Sequence, residues 1–223
     1  MPDKRNRAWY CGNCLTTFEG DMGLCPNLGC RSPKPGEGWG LIYESDDIID
    51  RHYRVLRRLA TGGAGVTYLA REIGAEGVDE GPELAVKVLY TNRDHGSYLR
   101  RLSQEAQILQ ELAHPHIVEY RGFVHRSGHS PYLVTRFEKG GSLLDHIRRR
   151  GALSIPEAAL ICKQVLTALD RAHQVGVVHR DLKPENVLLE QIPETGQVPV
   201  VRVADFGIAK VAGTLSDRLT RVG

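Results

Sequence analysis

The chain lacks any apolar run near the roughly 18 residues that a spanning helix needs, which excludes a helical membrane span within it. No apolar stretch follows the charged opening of residues 1–7, so no secretory signal is expected there and a cytoplasmic location is. Neither sign of charge dominates: 29 Lys and Arg stand against 27 Asp and Glu, a formal net charge of +2. Nucleic-acid recognition usually draws on a concentrated basic face, so no nucleic-acid partner is expected. The densest basic run, Arg148-Arg149-Arg150, reads as the solvated end of a helix. Cysteine is scarce along most of the chain, with four of its five residues between Cys11 and Cys30 and Cys162 alone. There is no internal repeat. What is present is ordinary globular composition, 41% hydrophobic and 25% charged, over 223 residues. That length holds one domain, or one domain and a small module.

The cysteines fall as Cys11-x2-Cys14-x10-Cys25-x4-Cys30. Paired thiols in a chain without a secretory signal favour metal over disulfides, and two such pairs can place four thiolates tetrahedrally about zinc. Residues 1–32 therefore resemble a small zinc ribbon with a structural Zn2+, all four positions being filled by protein; disulfides or free thiols remain the alternative. So short a segment buries little core, and the metal would supply its folding energy. Trp9, Tyr10 and Phe18 are expected to pack around the metal or to contact a partner. Residues 33–50, with Pro33, Pro35, Gly36, Gly38 and Gly40, read as a linker. Cys162 lies on an apolar helix stripe and reads as core.

From residue 51 the pattern changes. Runs at 53–59, 66–70, 84–89, 117–124 and 132–136 read as strands. Leu102, Ala106, Leu109 and Leu112 recur at helical spacing and predict an amphipathic helix over 98–112. Ala158, Ile161, Cys162, Val165, Ala168, Leu169 and Ala172 predict a longer one. Short apolar runs follow at 187–189 and 200–203. A strand-rich part followed by a helical part implies an α+β chain of two lobes, N-lobe 51–138 and C-lobe 139–223, with a ligand site between them.

The chemistry-bearing residues follow that order. Gly62-Gly63-Ala64-Gly65 joins two strands, and glycines let backbone N–H groups approach phosphate oxygens. A plain tight turn would look the same. Lys87 lies within an apolar strand, where a charge needs a partner. Glu105, on the next helix, is the candidate, although an edge-strand lysine and a surface glutamate also fit these positions taken singly. The most specific run is His179-Arg180-Asp181-Leu182-Lys183-Pro184-Glu185-Asn186, followed by Asp205-Phe206-Gly207. Asp181 can accept a hydroxyl proton, Lys183 can offset charge on a transferred group, and Asn186 and Asp205 offer oxygen ligands suited to Mg2+.

Taken in order with His114-Pro115-His116-Ile117-Val118 and Gly140-Gly141-Ser142-Leu143, these motifs resemble the Hanks-type protein kinases in their bacterial serine/threonine branch, over residues 53–223. The resemblance implies a protein-kinase-like fold, an antiparallel β N-lobe and a helical C-lobe, preceded by the zinc ribbon. It implies ATP with Mg2+ (or Mn2+) as cofactors and protein substrates carrying Ser or Thr. Gly62, Gly63 and Gly65 would cradle phosphate, Lys87 paired with Glu105 would hold it, Asp181 would be the catalytic aspartate, and Asn186 and Asp205 the metal ligands. Adenine would meet the backbone around Arg136 and Glu138, after Thr135 at the gatekeeper position, with Ala85, Val66 and Leu188 as candidate apolar walls and Leu59 as a candidate cover, each of which fits a plain core position equally well. Lys183 fits the serine/threonine form, and Arg180 fits kinases whose activation loop is ordered by phosphorylation, with Thr214, Ser216 and Thr220 as candidate sites of self-phosphorylation.

The pattern also departs from the family. Ala60 stands where a glycine usually opens the loop, Thr67 where valine usually covers adenine, and Arg136 where the hinge is usually acidic. The sequence stops within the activation segment, so the C-lobe is expected to be incomplete and the helix over 156–173 to expose apolar surface. An active kinase is expected, with a pseudokinase-like ATP-binding fragment as the alternative and a nucleic-acid-binding zinc module as a third reading that the low charge disfavours.

Overall fold

The computed structural model describes residues 7–12, 14, 16–20, 22–34, 40–62, 65–74, 79–90, 112–126, 130–194 and 196–206. Described residues up to 100 and those of 123–134 form one compact unit; those of 101–122 and 135–214 form another.

The first unit opens with a small sheet of β1 (Ala8–Tyr10), β2 (Thr17–Glu19) and β3 (Gly40–Leu41), in the order β2-β1-β3. A larger sheet follows, of β4 (Ile48–Ile49), β5 (Tyr53–Gly62), β6 (Gly65–Ile73), β7 (Asp79–Leu89), β8 (Tyr120–Val124) and β9 (Tyr132–Arg136), in the order β4-β5-β6-β7-β9-β8. β-Branched and aromatic residues at alternate positions bury one face of it: Val55, Val66, Tyr68, Ala70, Val86, Val88, Tyr132 and Val134 share one core. The β5–β6 hairpin closes with Gly62 opposite Gly65. Gly65 is required there, because a Cβ would come within 2.1 Å of the Val88 carbonyl oxygen. Gly63 lies outside the described residues.

Within the segment 33–50, read as a linker from its Pro and Gly content, the described residues 40–50 are built into sheets. They contain β3 and β4, and Ile42 and Ile49 are buried in the large sheet's core. Two short apolar pairs, Leu41-Ile42 and Ile48-Ile49, outweigh the flanking turn residues there.

The second unit holds α1 (Leu143–Arg150), α2 (Ile155–Gln174), a one-turn 3-10 helix (Pro184–Asn186), β10 (Val187–Leu189) and β11 (Val201–Val203). Ser142 caps α1 through a reciprocal capping box with Asp145, and the Ser142 hydroxyl holds the Asp145 carboxyl below its usual range. Gly151 ends α1 at φ 88°. Ser154 caps α2, and Pro156 lies in its first turn. Ile161, Ala168 and Ala172 are its buried residues, whereas Leu160 and Leu166 are exposed. Cys162 is also exposed, correcting the core assignment. Spacings of seven and four set the buried face, and Cys162 is turned about 100° from Ile161. Gln164 clips α2 to β11, its Oε1 accepting from the Val201 N–H at 2.9 Å and its Nε2 donating to the Pro199 carbonyl at 3.1 Å. The predicted helix over 98–112, with Glu105, lies outside the described residues but for its last residue, Leu112, which is buried beside Ile117, Val203 and Phe206. Among the described residues no helix is long and apolar enough to cross a membrane.

Candidate active site and four-cysteine cluster

β10 and β11 pair antiparallel, Val187 opposite Val203, and this hairpin brings the residues before β10 to those after β11. The Ala204 N–H donates to the Asn186 carbonyl at 2.8 Å. The buried His179 completes the junction: its Nε2 donates to the Ala204 carbonyl at 2.8 Å, and its Nδ1 accepts from the Asp181 N–H at 3.3 Å. One nitrogen donates and the other accepts, which is neutral imidazole, and burial lowers the His179 pKa from its ordinary value. The Phe206 ring covers it, with centroids 4.7 Å apart.

On this frame Asp181 and Asn186 meet. The Asn186 Nδ2 donates to the Asp181 carbonyl at 2.8 Å and to its carboxylate Oδ2 at 3.3 Å. That leaves the amide oxygen of Asn186 as its ligating atom. The Lys183 ammonium lies 3.0 Å from the same Oδ2, and this hydrogen bond raises the lysine's pKa. Asp205 is exposed, one residue after the bonded Ala204. Arg180 and Asp205 both take left-handed backbone, φ 61° and 58°. Such non-glycine positions store roughly 1–3 kcal/mol of strain and gather at functional sites.

Lys87 belongs to the first unit. Its strand is paired by β6 on one side and β9 on the other, so it is not an edge lysine. Thr67 is its register partner. Strand alternation puts Thr67, Ala85 and Lys87 on one face and Val66, Val86 and Val88 on the core face. Val66 is thus core and not a purine wall; Thr67 occupies the position next to Lys87.

Residues around the expected hinge are held by charge. Glu138 is buried, and its Oε2 accepts from the Arg202 guanidinium at 2.8 Å. Arg202 also donates to Glu190 at 2.9 Å and to the Pro115 carbonyl at 3.1 Å. Burial raises the Glu138 pKa, with Arg202 opposing it. The Arg136 guanidinium lies 3.7 Å from the Glu190 carboxylate, and the Arg136 N–H donates to the Glu119 carbonyl at 2.9 Å. Both side chains at the expected hinge are therefore committed to ion pairs. Sequence reasoning missed Arg202 and Glu190, although an arginine within the apolar run 200–203 carried the same signal that marked Lys87.

In the first unit the Sγ atoms of Cys11, Cys14, Cys25 and Cys30 all lie within 4.8 Å of one another. Cys14 and Cys25 are 3.5 Å apart, Cys11 and Cys30 3.9 Å. Zinc–sulfur bonds of about 2.3 Å in a tetrahedron imply sulfurs about 3.8 Å apart, so the four residues fit a metal ion. Thr16 and Ser32 place hydroxyls 3.2 and 3.0 Å from the sulfurs of Cys14 and Cys30. Burial first, then neighbouring thiols, push the Cys25 thiol up to about 12; a cation is what would hold it as thiolate.

The protein kinase domain family model matches residues 53–223. The chain belongs to the protein kinase family. It is 33% identical over 165 residues to the serine/threonine-protein kinase PrkC of Bacillus subtilis, covering 72% of this chain and 23% of that one. It is 37% identical over 143 residues to the serine/threonine-protein kinase RAD53 of Saccharomyces cerevisiae, covering 64% of this chain and 17% of that one. Among solved structures, the Mycobacterium tuberculosis PknI kinase domain superposes with a TM-score of 0.61 at 31% identity, over 75% of this chain and 62% of that one. The chain spans between 17% and 30% of the curated relatives it matches. The fold is thus that of a protein kinase with an antiparallel N-lobe sheet, its homologues are serine/threonine kinases, and the family's chemistry uses ATP and Mg2+. The cysteine cluster is compatible with a zinc ribbon.

Proposed function

We propose that this chain carries the catalytic apparatus of a protein serine/threonine kinase, which transfers the γ-phosphoryl group of ATP to a protein hydroxyl in the cytoplasm. The observation that supports it best is the single carboxylate oxygen of Asp181, approached by Lys183 at 3.0 Å and Asn186 at 3.3 Å. A hydroxyl nucleophile needs an aligned acceptor for its proton, and the transferred group needs nearby positive charge. Asp181 takes the proton as the hydroxyl oxygen bonds to phosphorus and the bond to ADP breaks, while Lys183 balances charge on the transferred group. His179, neutral and bonded on both nitrogens, positions the loop. Asn186 and Asp205 would hold Mg2+ (or Mn2+), which supplies charge neutralisation on the phosphates. Gly62, Gly65 and Lys87 would hold those phosphates; Glu105 and Gly63, assigned to the same task, lie outside the described residues, as do Thr214, Ser216 and Thr220, the sites proposed for self-phosphorylation.

Retention of Lys87, Asp181, Asn186 and Asp205 favours an active enzyme over a nucleotide-binding pseudokinase. The four cysteines would hold one structural Zn2+. The test is a pair of variants. Asp181→Asn should keep affinity for a non-hydrolysable ATP analogue within a few-fold and lose about 10²–10⁴-fold in phosphoryl transfer. Asp205→Asn should lose Mg2+-dependent nucleotide binding as well. Equal transfer rates in wild type and Asp181→Asn would end this reading.

A further inference from the structure

The four-cysteine module does not hang from the kinase sheet; it is built into it. Tyr10 and Cys11 are adjacent, yet Cys11 is buried in the thiol cluster while Tyr10 is buried in the core of the large sheet. The Tyr10 ring lies against Tyr90, centroids 4.5 Å apart, and its hydroxyl meets the Ser130 hydroxyl at 2.7 Å. Both contacts lead to Lys87. Tyr90 directly follows β7, three residues beyond Lys87. Ser130 precedes Pro131, whose carbonyl accepts the Leu89 N–H at 2.8 Å. Gly40 in β3 seats the Tyr10 ring so closely that a Cβ there would come within 2.0 Å of it. Further ties run in parallel: Ile42 is buried in the sheet's core while its N–H donates to the Ala8 carbonyl at 3.1 Å, the Tyr43 N–H donates to the Tyr68 hydroxyl at 3.0 Å, and Arg7 pairs with Asp47.

A three-stranded sheet of eight residues cannot order itself by apolar burial. The large sheet's core holds Tyr10 from one side, and the order of Cys11 beside it, which fixes the backbone of Tyr10 from the other, would come from the metal.

We infer that the four-cysteine module is a metal-dependent brace for the strand that carries Lys87, so that metal occupancy and nucleotide binding are coupled through Tyr10. The inference rests on the kinase reading for the role of Lys87 and on the cysteines taking zinc. Coupling of this kind is reciprocal: the factor by which zinc tightens nucleotide binding is the factor by which nucleotide tightens zinc.

The experiment uses the full chain, zinc-loaded and then stripped with a zinc-selective chelator, and measures two quantities. One is amide hydrogen exchange over residues 84–90; the other is the Kd of a non-hydrolysable ATP analogue with Mg2+. Zinc removal should speed exchange there by about tenfold or more and weaken the analogue by about threefold or more, with the analogue tightening zinc by the same factor. Tyr10→Ala should still bind one zinc per chain, exchange fast at 84–90, and no longer respond to the chelator. Ser130→Ala, which removes only a hydrogen bond, should give a smaller change of the same sign and guards against misfolding of the Tyr10 variant. Unchanged exchange in stripped wild type, a Tyr10→Ala protein with full metal sensitivity, or no zinc bound at all would each overturn the brace. If exchange follows zinc while the analogue binds neither form, the brace stands and the kinase reading falls.

Discussion

Replacing Arg202 by methionine should destabilise the second unit more than any single surface change. The guanidinium is 14% exposed and serves three partners: Pro115, Glu138 and Glu190. Its removal leaves the Glu138 carboxylate, 1% exposed, without its main counter-charge. Breaking one side of a buried pair costs about 3–5 kcal/mol. Folded domains hold only about 5–15 kcal/mol in total, so the loss should be plain in a urea titration of the full chain. The sign with pH is also fixed. Burial already raises the Glu138 pKa, and Arg202 works against that rise. Without Arg202 the folded carboxyl titrates higher still, so the folded state gains a proton before the unfolded one. The penalty is therefore full at high pH and shrinks as pH falls through the raised value. Pairing Arg202→Met with Glu138→Leu removes both charges, and a double-mutant cycle should recover most of the loss. A single-variant effect below about 0.5 kcal/mol, the range of an ordinary surface substitution, or a double variant no better than the single, would refute the buried-pair argument.

Three further outcomes follow from other contacts. Elemental analysis of protein purified without chelator should find about one zinc per chain, lost in Cys11→Ser and Cys25→Ser, and a metal-free wild type would contradict the cluster's assignment. Ser142→Ala breaks the α1 capping box and should cost about 1 kcal/mol in chemical denaturation; an unchanged midpoint would show that the cap contributes nothing. Burial lowers the folded pKa of His179, so its contribution to stability is present above the unfolded value of about 6.5 and is lost as pH falls through the folded value. A His179→Gln variant should lose that part of the acid-side slope in stability measured against pH, and an identical slope would remove His179 from the account.

The loop of candidate catalytic residues was legible because its logic is local. Asp181, Lys183 and Asn186 fall within six consecutive residues, and one 3-10 turn suffices to bring them together. Lys87 was legible for a different reason: a charge inside an apolar strand demands an explanation, and pairing on both sides removed the edge alternative. Parity decided Val66 for the core role over the purine wall, since adjacent residues in a strand face opposite ways and only the register with β7 shows which side holds Lys87. Cys162 failed through helix phase, one residue off the buried face. Arg202 stood out within an apolar run, but its partners Glu138 and Glu190, like the seat of Tyr10, were not legible, because these contacts join residues 64, 12 and 120 positions apart. Composition alone made 33–50 a linker, yet two apolar pairs there find partners in β1 and β5.

The proposed function has Asp181 accept the proton of a substrate hydroxyl, with Lys183 marking the serine/threonine form. The direct measurement is phosphoamino-acid analysis of a mixed protein substrate after incubation with the full chain, Mg2+ and γ-labelled ATP. The account predicts label on phosphoserine and phosphothreonine, absent from phosphotyrosine and lost in Asp181→Asn. Label on tyrosine, or label that persists undiminished in Asp181→Asn, would contradict it.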